Sequence, residues 1–161
     1  MSVNKYHPHL YVIPEDEADR DLANGFHLEI DQIGQMQVLP IVGGWRKVLE
    51  RFRSDHIGDM KRYPQRYIVL LIDFDGQKDR FNEANEAIPN DLRDRVFVLG
   101  VWDEPEDLAK AGLGHPETVG RKLARECRER TDQIWGHDLF RHNASELERL
   151  RKHILPILFD K

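Results

Sequence analysis

Three short stretches of this chain carry the residue types that do metal and phosphate chemistry: Pro14-Glu15-Asp16-Glu17-Ala18-Asp19, Gly43-Gly44 and Asp73-Phe74-Asp75-Gly76. Crowded carboxylates repel one another unless a hard cation sits between them. Magnesium takes a few carboxylate oxygens plus waters and leaves positions open for phosphate oxygens. Side-chain alternation in extended backbone predicts that Asp73 and Asp75 share one side while Phe74 points into the core. Asp16 or Asp19 can equally well cap a helix, and an Asp-Gly turn accounts for one member of the second pair. Glycines at the middle stretch allow close backbone approach. Taken together at one pole of a sheet, the three stretches favour a site.

The elements that must position these residues follow from hydrophobic patterning. An apolar run at 9–13, ended by Pro14, predicts a buried strand. Ala18, Leu22 and Phe26 lie four apart and predict a helix that stops near Gly25 or soon after. A second strand is expected at 36–42, with Pro40 implying an edge or an irregularity. Trp45, Val48, Leu49 and Phe52 mark the next helix, whose outer face carries much basic charge. The run at 67–72 shows no alternation, as in a strand covered on both faces. A polar helix at 80–88 and a fourth strand at 95–102, bent or ended by Gly100, complete the alternation.

Beyond Trp102 the pattern turns helical. A short acidic helix or loop is expected at 105–113. A helix then starts at His115-Pro116, with Val119, Leu123, Cys127, Thr131 and Ile134 as its buried stripe. After a loop at 136–143, Ser145 is the predicted N-cap of a last helix bearing Leu147, Leu150, Ile154 and Leu158, distorted near its end by Pro156. Strands alternating with helix-length connections predict an α/β fold, with helices flanking a four-stranded, mostly parallel sheet in three layers. One domain over 1–161 is expected, with the motif-bearing core at 9–102 and a helical part at 103–161.

Composition bounds the reading. The chain has 161 residues and a formal charge of −5, and it is 40% hydrophobic, enough for a core. Its single cysteine, Cys127, cannot close an internal disulfide. No signal-peptide pattern opens the chain and no apolar stretch has spanning length, so a cytoplasmic protein with no membrane partner is expected. Excess acid is segregated: the balance is −5 over residues 1–31 and −7 over 67–108, against +4 over 44–66. That segregation leaves a polyanionic partner open.

The ordered motifs resemble the Toprim domain of topoisomerases, bacterial primases, recombination mediator proteins and overcoming-lysogenization-defect (OLD) nucleases. That domain has a strand running into Glu-Gly-x-x-Asp, a second strand with glycine, and a third strand ending in Asp-x-Asp. By this resemblance Glu15 is the functional glutamate, Asp19 its +4 partner, Gly43 and Gly44 the middle glycine, and Asp73 and Asp75 the metal-binding pair. The likeness covers roughly residues 9–102. Asp16 stands where glycine is usual, and Pro14 where a β-branched residue is commoner, which leaves Glu17 as an alternative to Glu15. Nuclease members carry a further acid after the fourth strand, a place open to Asp103, Glu104 or Glu106, with Glu104 preferred. The resemblance implies Mg²⁺- or Mn²⁺-dependent phosphodiester cleavage in nucleic acid, DNA ahead of RNA, and a role in phage defence or repair. With no GxxxxGK[ST] loop in the chain, the ATPase of OLD systems would be a separate subunit; a homodimer is a further expected assembly.

Basic residues Arg46, Lys47 and Arg51 are candidates to track a phosphate backbone, although a solvated helix face is the simpler explanation of each one. Trp45, Trp102 and Trp135 read as packing anchors, and no His/Cys set has zinc spacing. Two other readings stand beside the nuclease. In a receiver-like signalling domain Asp16 and Glu17 would hold Mg²⁺ and Asp73 would accept phosphate; 58 positions separate Glu15 from Asp73, and Lys110 follows no strand. The third reading is an inactive Toprim-like module that only binds a partner.

Overall fold

The structure is a computed structural model and describes residues 3–160. Its centre is a four-stranded sheet of β1 (His9–Pro14), β2 (Met36–Val38), β3 (Arg66–Leu71) and β4 (Val96–Leu99), in the order β2-β1-β3-β4 and parallel throughout. The expected three-layer α/β architecture is present. The chain leaves β1 for β2 on one side, then crosses back over β1 to β3. The connections therefore reverse direction between β1 and β3, and a crevice opens beyond their carboxyl ends.

The strands bury both faces, and the sheet divides the core in two. Leu10, Val12, Val69, Leu71, Phe97 and Leu99 meet α1 (Glu17–Glu29), α6 (Pro116–Glu129), α7 (Ala144–His153) and α8 (Leu155–Leu158). On the other face Ile13, Ile68, Leu70, Ile72 and Val98 meet α2 (Trp45–Arg51), α3 (Ile57–Arg62) and α4 (Lys78–Glu86). One more helix, α5 (Glu106–Lys110), joins β4 to α6. Only α1 crosses over on the first face in the sheet-building part of the chain. The helical part beyond residue 103 supplies α6, α7 and α8 to cover the rest.

Several sequence expectations are corrected by tertiary contacts. The first helix runs on to Glu29, through Gly25, because this glycine faces α6 instead of ending the helix. A Cβ at Gly25 would lie 2.0 Å from the Glu117 carbonyl oxygen, and one at Gly120 would lie 1.9 Å from that of Leu22. The two glycines thus let α1 and α6 pack backbone to backbone. The second strand stops at Val38; Leu39 adds one bond to the Val12 carbonyl (2.9 Å), and Pro40 has no N–H to continue. The fourth stops before Gly100, where a Cβ would collide with the Ile72 carbonyl at 1.6 Å. The basic helix from Trp45 extends to Arg62 through a π-helical turn at Phe52–His56.

Further along, Thr131 is exposed beyond the end of α6, so the buried stripe skips from Cys127 to Ile134. Ser145 lies inside α7, whose capping position is Asn143; the Asn143 side chain instead bonds the Gly100 backbone N–H and carbonyl. Pro156 breaks the last helix into α7 and α8, as its missing N–H requires.

Replacing Gly120 with alanine should overpack the α1–α6 contact and cost about 1–3 kcal/mol of unfolding free energy. Chemical denaturation measures it: a lowered midpoint with unchanged slope is the expected outcome.

Candidate functional site

Glu15 is the first residue past β1, and its position is fixed three times over. Its N–H donates to the Leu71 carbonyl (2.9 Å), its carbonyl accepts from the Gly43 N–H (2.8 Å), and its Oε1 accepts from the Asp73 N–H (2.9 Å). One residue therefore ties β1, the loop after β2 and the end of β3 together. Gly43 takes a positive φ of 89°, which suits a residue without Cβ, and Gly44 precedes α2 at the cleft wall. These links bring the three sequence stretches to one pole, at the reversal point between β1 and β3.

Three carboxylates meet there. Glu15, Asp16 and Asp73 each offer an oxygen, and these three atoms lie within 4.8 Å of one another. Asp16 also caps α1 by accepting the Asp19 N–H at 3.1 Å, so its capping and site roles coincide. Asp73 is 7% exposed, and its Oδ1 is buried with no hydrogen-bond partner. Asp19 is fully buried beside it on the first turn of α1, and neither of its oxygens has a donor. Two ionised carboxylates cannot satisfy each other, so this pair needs a shared proton or a cation.

The electrostatics follow from that crowding. Burial pushes the Asp19 carboxyl strongly up, and its contact with Asp73 and the nearby Asp16 push the same way. Burial also lifts Asp73, to about 7; its close contact with Asp19 opposes the rise, and the Glu15 and Asp16 charges add to it. Glu15 is raised by burial, against the opposing Asp73 N–H bond. The donor set is all oxygen, partly desolvated and closely spaced. Opposed ligands on a magnesium or manganese ion lie about 4 Å apart, so these residues fit a hard divalent cation.

Asp75 takes a different position from the expected one. Ladder-like hydrogen bonds continue past Leu71, from Ile72 to Leu99 (3.0 Å) and from Phe74 to Val101 (3.1 Å), before Asp75 adopts a left-handed φ of 50° in a tight turn with Gly76 (φ 66°). Alternation thus holds as far as Phe74, and Asp73 and Asp75 line one cleft. Phe74 does point into the core, 1% exposed, but the Asp75 carboxylate is half-exposed and faces Arg80 at 3.5 Å. It lines the cleft without joining the three converging oxygens. Glu104 and Glu106 also line this cleft, which has a volume of about 330 Å³. Glu17 turns outward and pairs with Arg20 at 3.4 Å, so Glu15 is the glutamate at the site.

Arg80 is the functional residue that sequence reasoning missed. Its guanidinium donates to the Asp73 carbonyl (2.8 Å), packs over the Trp45 ring (5.1 Å) and is 16% exposed, with a buried, unpaired Nε. It is the one basic side chain among the described residues that line the cleft, and its place seven residues after Asp73 on a polar helix gave no signal. Trp45 lines the cleft too, flanked on its other contact by Arg46 at 4.8 Å. Arg46 is exposed and paired with Glu83 (3.2 Å), Arg51 pairs with Asp55 (3.4 Å), and the Lys47 stem lies beside Gly44. Of these three candidates only Arg46 reaches the Trp45 rim.

Elsewhere, burial raises the Cys127 thiol to about 12 and lowers His142 to about 4, so both stay neutral as packing groups. His142 packs edge-on against Phe74 (4.9 Å) and supports the turn below the site. No helix among the described residues is long and apolar enough to cross a membrane. No protein-family model matches the chain, and no curated protein or solved structure matches it either.

Asp19 and Asp73 hold protons more tightly folded than unfolded, where a carboxyl titrates near pH ~4. Between that value and the folded one, the native state loses stability as pH rises. The metal-free protein should therefore be less stable at pH 8 than at pH 5 by more than about 1 kcal/mol. Asp19→Asn should remove much of that slope and be the more stable protein at pH 8. Thermal melts at the two pH values, in chelator, check both.

Proposed function

We propose that this protein is a divalent-metal-dependent nuclease that cleaves phosphodiester bonds in nucleic acid. The observation that carries the reading is the meeting of Glu15, Asp16 and Asp73 within 4.8 Å, at the strand-reversal point, with a buried and unpaired Asp73 oxygen. The order of motifs that resembles Toprim domains supports it, as does the match of this donor set to magnesium or manganese.

Glu15, Asp16 and Asp73 would hold the ion, which when bound offsets charge on phosphate oxygens and lowers the pKa of bound water. The remaining work falls to the chain. Glu15 Oε1 accepts the Asp73 N–H and would share its second lone pair with the ion, leaving Oε2 to take a proton from an attacking water. Its raised pKa, caused by burial, brings that acceptor closer to neutral pH. Arg80 offers a fixed guanidinium to a phosphate oxygen in a cleft that is otherwise acidic. Trp45, the Asp73 carbonyl and the Asp75 carboxylate (3.5 Å) together hold it in place. Arg46 at the Trp45 rim would meet the flanking phosphates. An ATPase acting with this protein would be a separate subunit.

One observation favours the signalling alternative: Asp16 does converge with Asp73. Against it, Glu17 faces solvent, no lysine is in the cleft lining, and Asp73 is too buried to receive a phosphoryl group easily.

Labelled single- and double-stranded DNA and RNA, incubated with Mg²⁺ or Mn²⁺ and with chelator, test the proposal. Metal-dependent cleavage is expected, falling at least about 100-fold in Glu15→Gln and in Asp73→Asn. Arg80→Ala should lose cleavage while keeping the metal-induced rise in melting temperature. Absence of cleavage on all four substrates, with phosphate uptake from a small phosphodonor lost only in Asp73→Asn, would establish the receiver reading instead.

A further inference from the structure

The sheet face covered by α1, α6 and α7 is incompletely filled. A cavity of about 80 Å³ lies among Val12, Leu71, Leu22, Leu123 and Trp135, and its lining is almost wholly apolar. That is roughly half the ~150 Å³ of an apolar cavity that stays dry and takes up benzene. Directly outside is a hollow of about 540 Å³ lined by Arg128, Arg130, Arg151, Pro156, Phe159 and Asp160. Cys127 and Leu155 line both spaces, so two side chains separate the apolar cavity from the basic hollow. Leu155 is only half-buried and lines both spaces, so a change of its rotamer would open one to the other. Neither space shares a residue with the carboxylate cleft.

We propose that the joined spaces bind a small amphipathic anion, of the class of medium-chain carboxylates. The hydrocarbon chain would enter the cavity past Cys127 and Leu155, with Phe159 and Pro156 against its outer part. The carboxylate would sit among the three arginines. Arg128 already pairs with Asp31 (3.1 Å) and Arg151 with Asp132 (2.6 Å), while the Arg151 Nε is buried without a partner. Arg130 is exposed in the left-handed position that ends α6, φ 59°, and has no ion-pair partner among the described residues. Asp160 is the one acid among the described residues that line the hollow, and it is engaged by the Gln32 side chain at 2.6 Å. The lining thus offers a dry end and a cationic end at the distance of two side chains. A plain inorganic anion would use only the second, and an uncharged alkane only the first.

Calorimetric titration of the full chain with octanoate, octanol and acetate tests this. Octanoate should bind saturably at one site and raise the melting temperature; octanol should bind at least about 10-fold more weakly, and acetate not measurably. The double variant Arg130→Glu/Arg151→Gln should weaken octanoate at least about 10-fold and leave octanol unchanged. Ala23→Leu, which grows into the cavity, should abolish octanoate binding in a folded protein; if it unfolds, the arginine variant still decides. Acetate binding equal to octanoate, equal octanoate affinity in the arginine variant, or no saturable octanoate binding would each overturn the proposal.

Discussion

Four carboxyl groups crowd together where the strand connections reverse direction, and the rest of the molecule is arranged around the repulsion among them. At about 4 Å, two like charges near a protein surface cost on the order of 4 kcal/mol. Asp19 and Asp73 are worse placed still, because burial strips them of water. A chain does not hold such groups in register by accident of surface charge. They are held by backbone bonds: Glu15 is tied to Leu71, Gly43 and Asp73 through three separate hydrogen bonds. Moving the Glu15 carboxylate would leave the Asp73 N–H without its partner at the end of the β1–β3 ladder.

The two helical layers serve that join from opposite sides. On one face Gly25 and Gly120 let α6 press α1 against the sheet, which sets the first turn of α1 and with it Asp16 and Asp19. On the other face α4 delivers Arg80 back toward the end of β3, and α2 delivers Trp45 as the surface on which Arg80 rests. This cation in the cleft is therefore placed by two different helices. It cancels part of the charge without reaching the buried pair, so an unmet electrostatic demand remains at Asp73 and Asp19. A divalent ion on the carboxylate oxygens would meet that demand, and the proposed function rests on such an ion.

Much of this was legible in the sequence where local physics decides. Continuous apolar runs located β1 and β3, and the parallel sheet followed from their spacing. The acids just past those strands, Glu15 and Asp73, fell at the same pole because adjacent parallel strands end together. What could not be read depended on contacts distant in sequence. Arg80 looks like any charge on a polar helix until α4 folds over β3. Gly25 looks like a helix terminator until α6 crosses it. Asp75 shares the cleft with Asp73, as alternation predicts, but a left-handed turn there sets its carboxylate toward Arg80. Asp19 was read as a candidate ligand or cap; it lies fully buried against Asp73, and burial of that kind has no signature in a single sequence.

The most direct measurement is the location of a bound ion. A crystal grown with Mn²⁺ and examined at the manganese absorption edge should show one anomalous peak between Glu15, Asp16 and Asp73, about 2.0–2.3 Å from an oxygen of each. A peak elsewhere, or none at millimolar Mn²⁺ with those three side chains ordered, would contradict the metal site on which the functional reading rests.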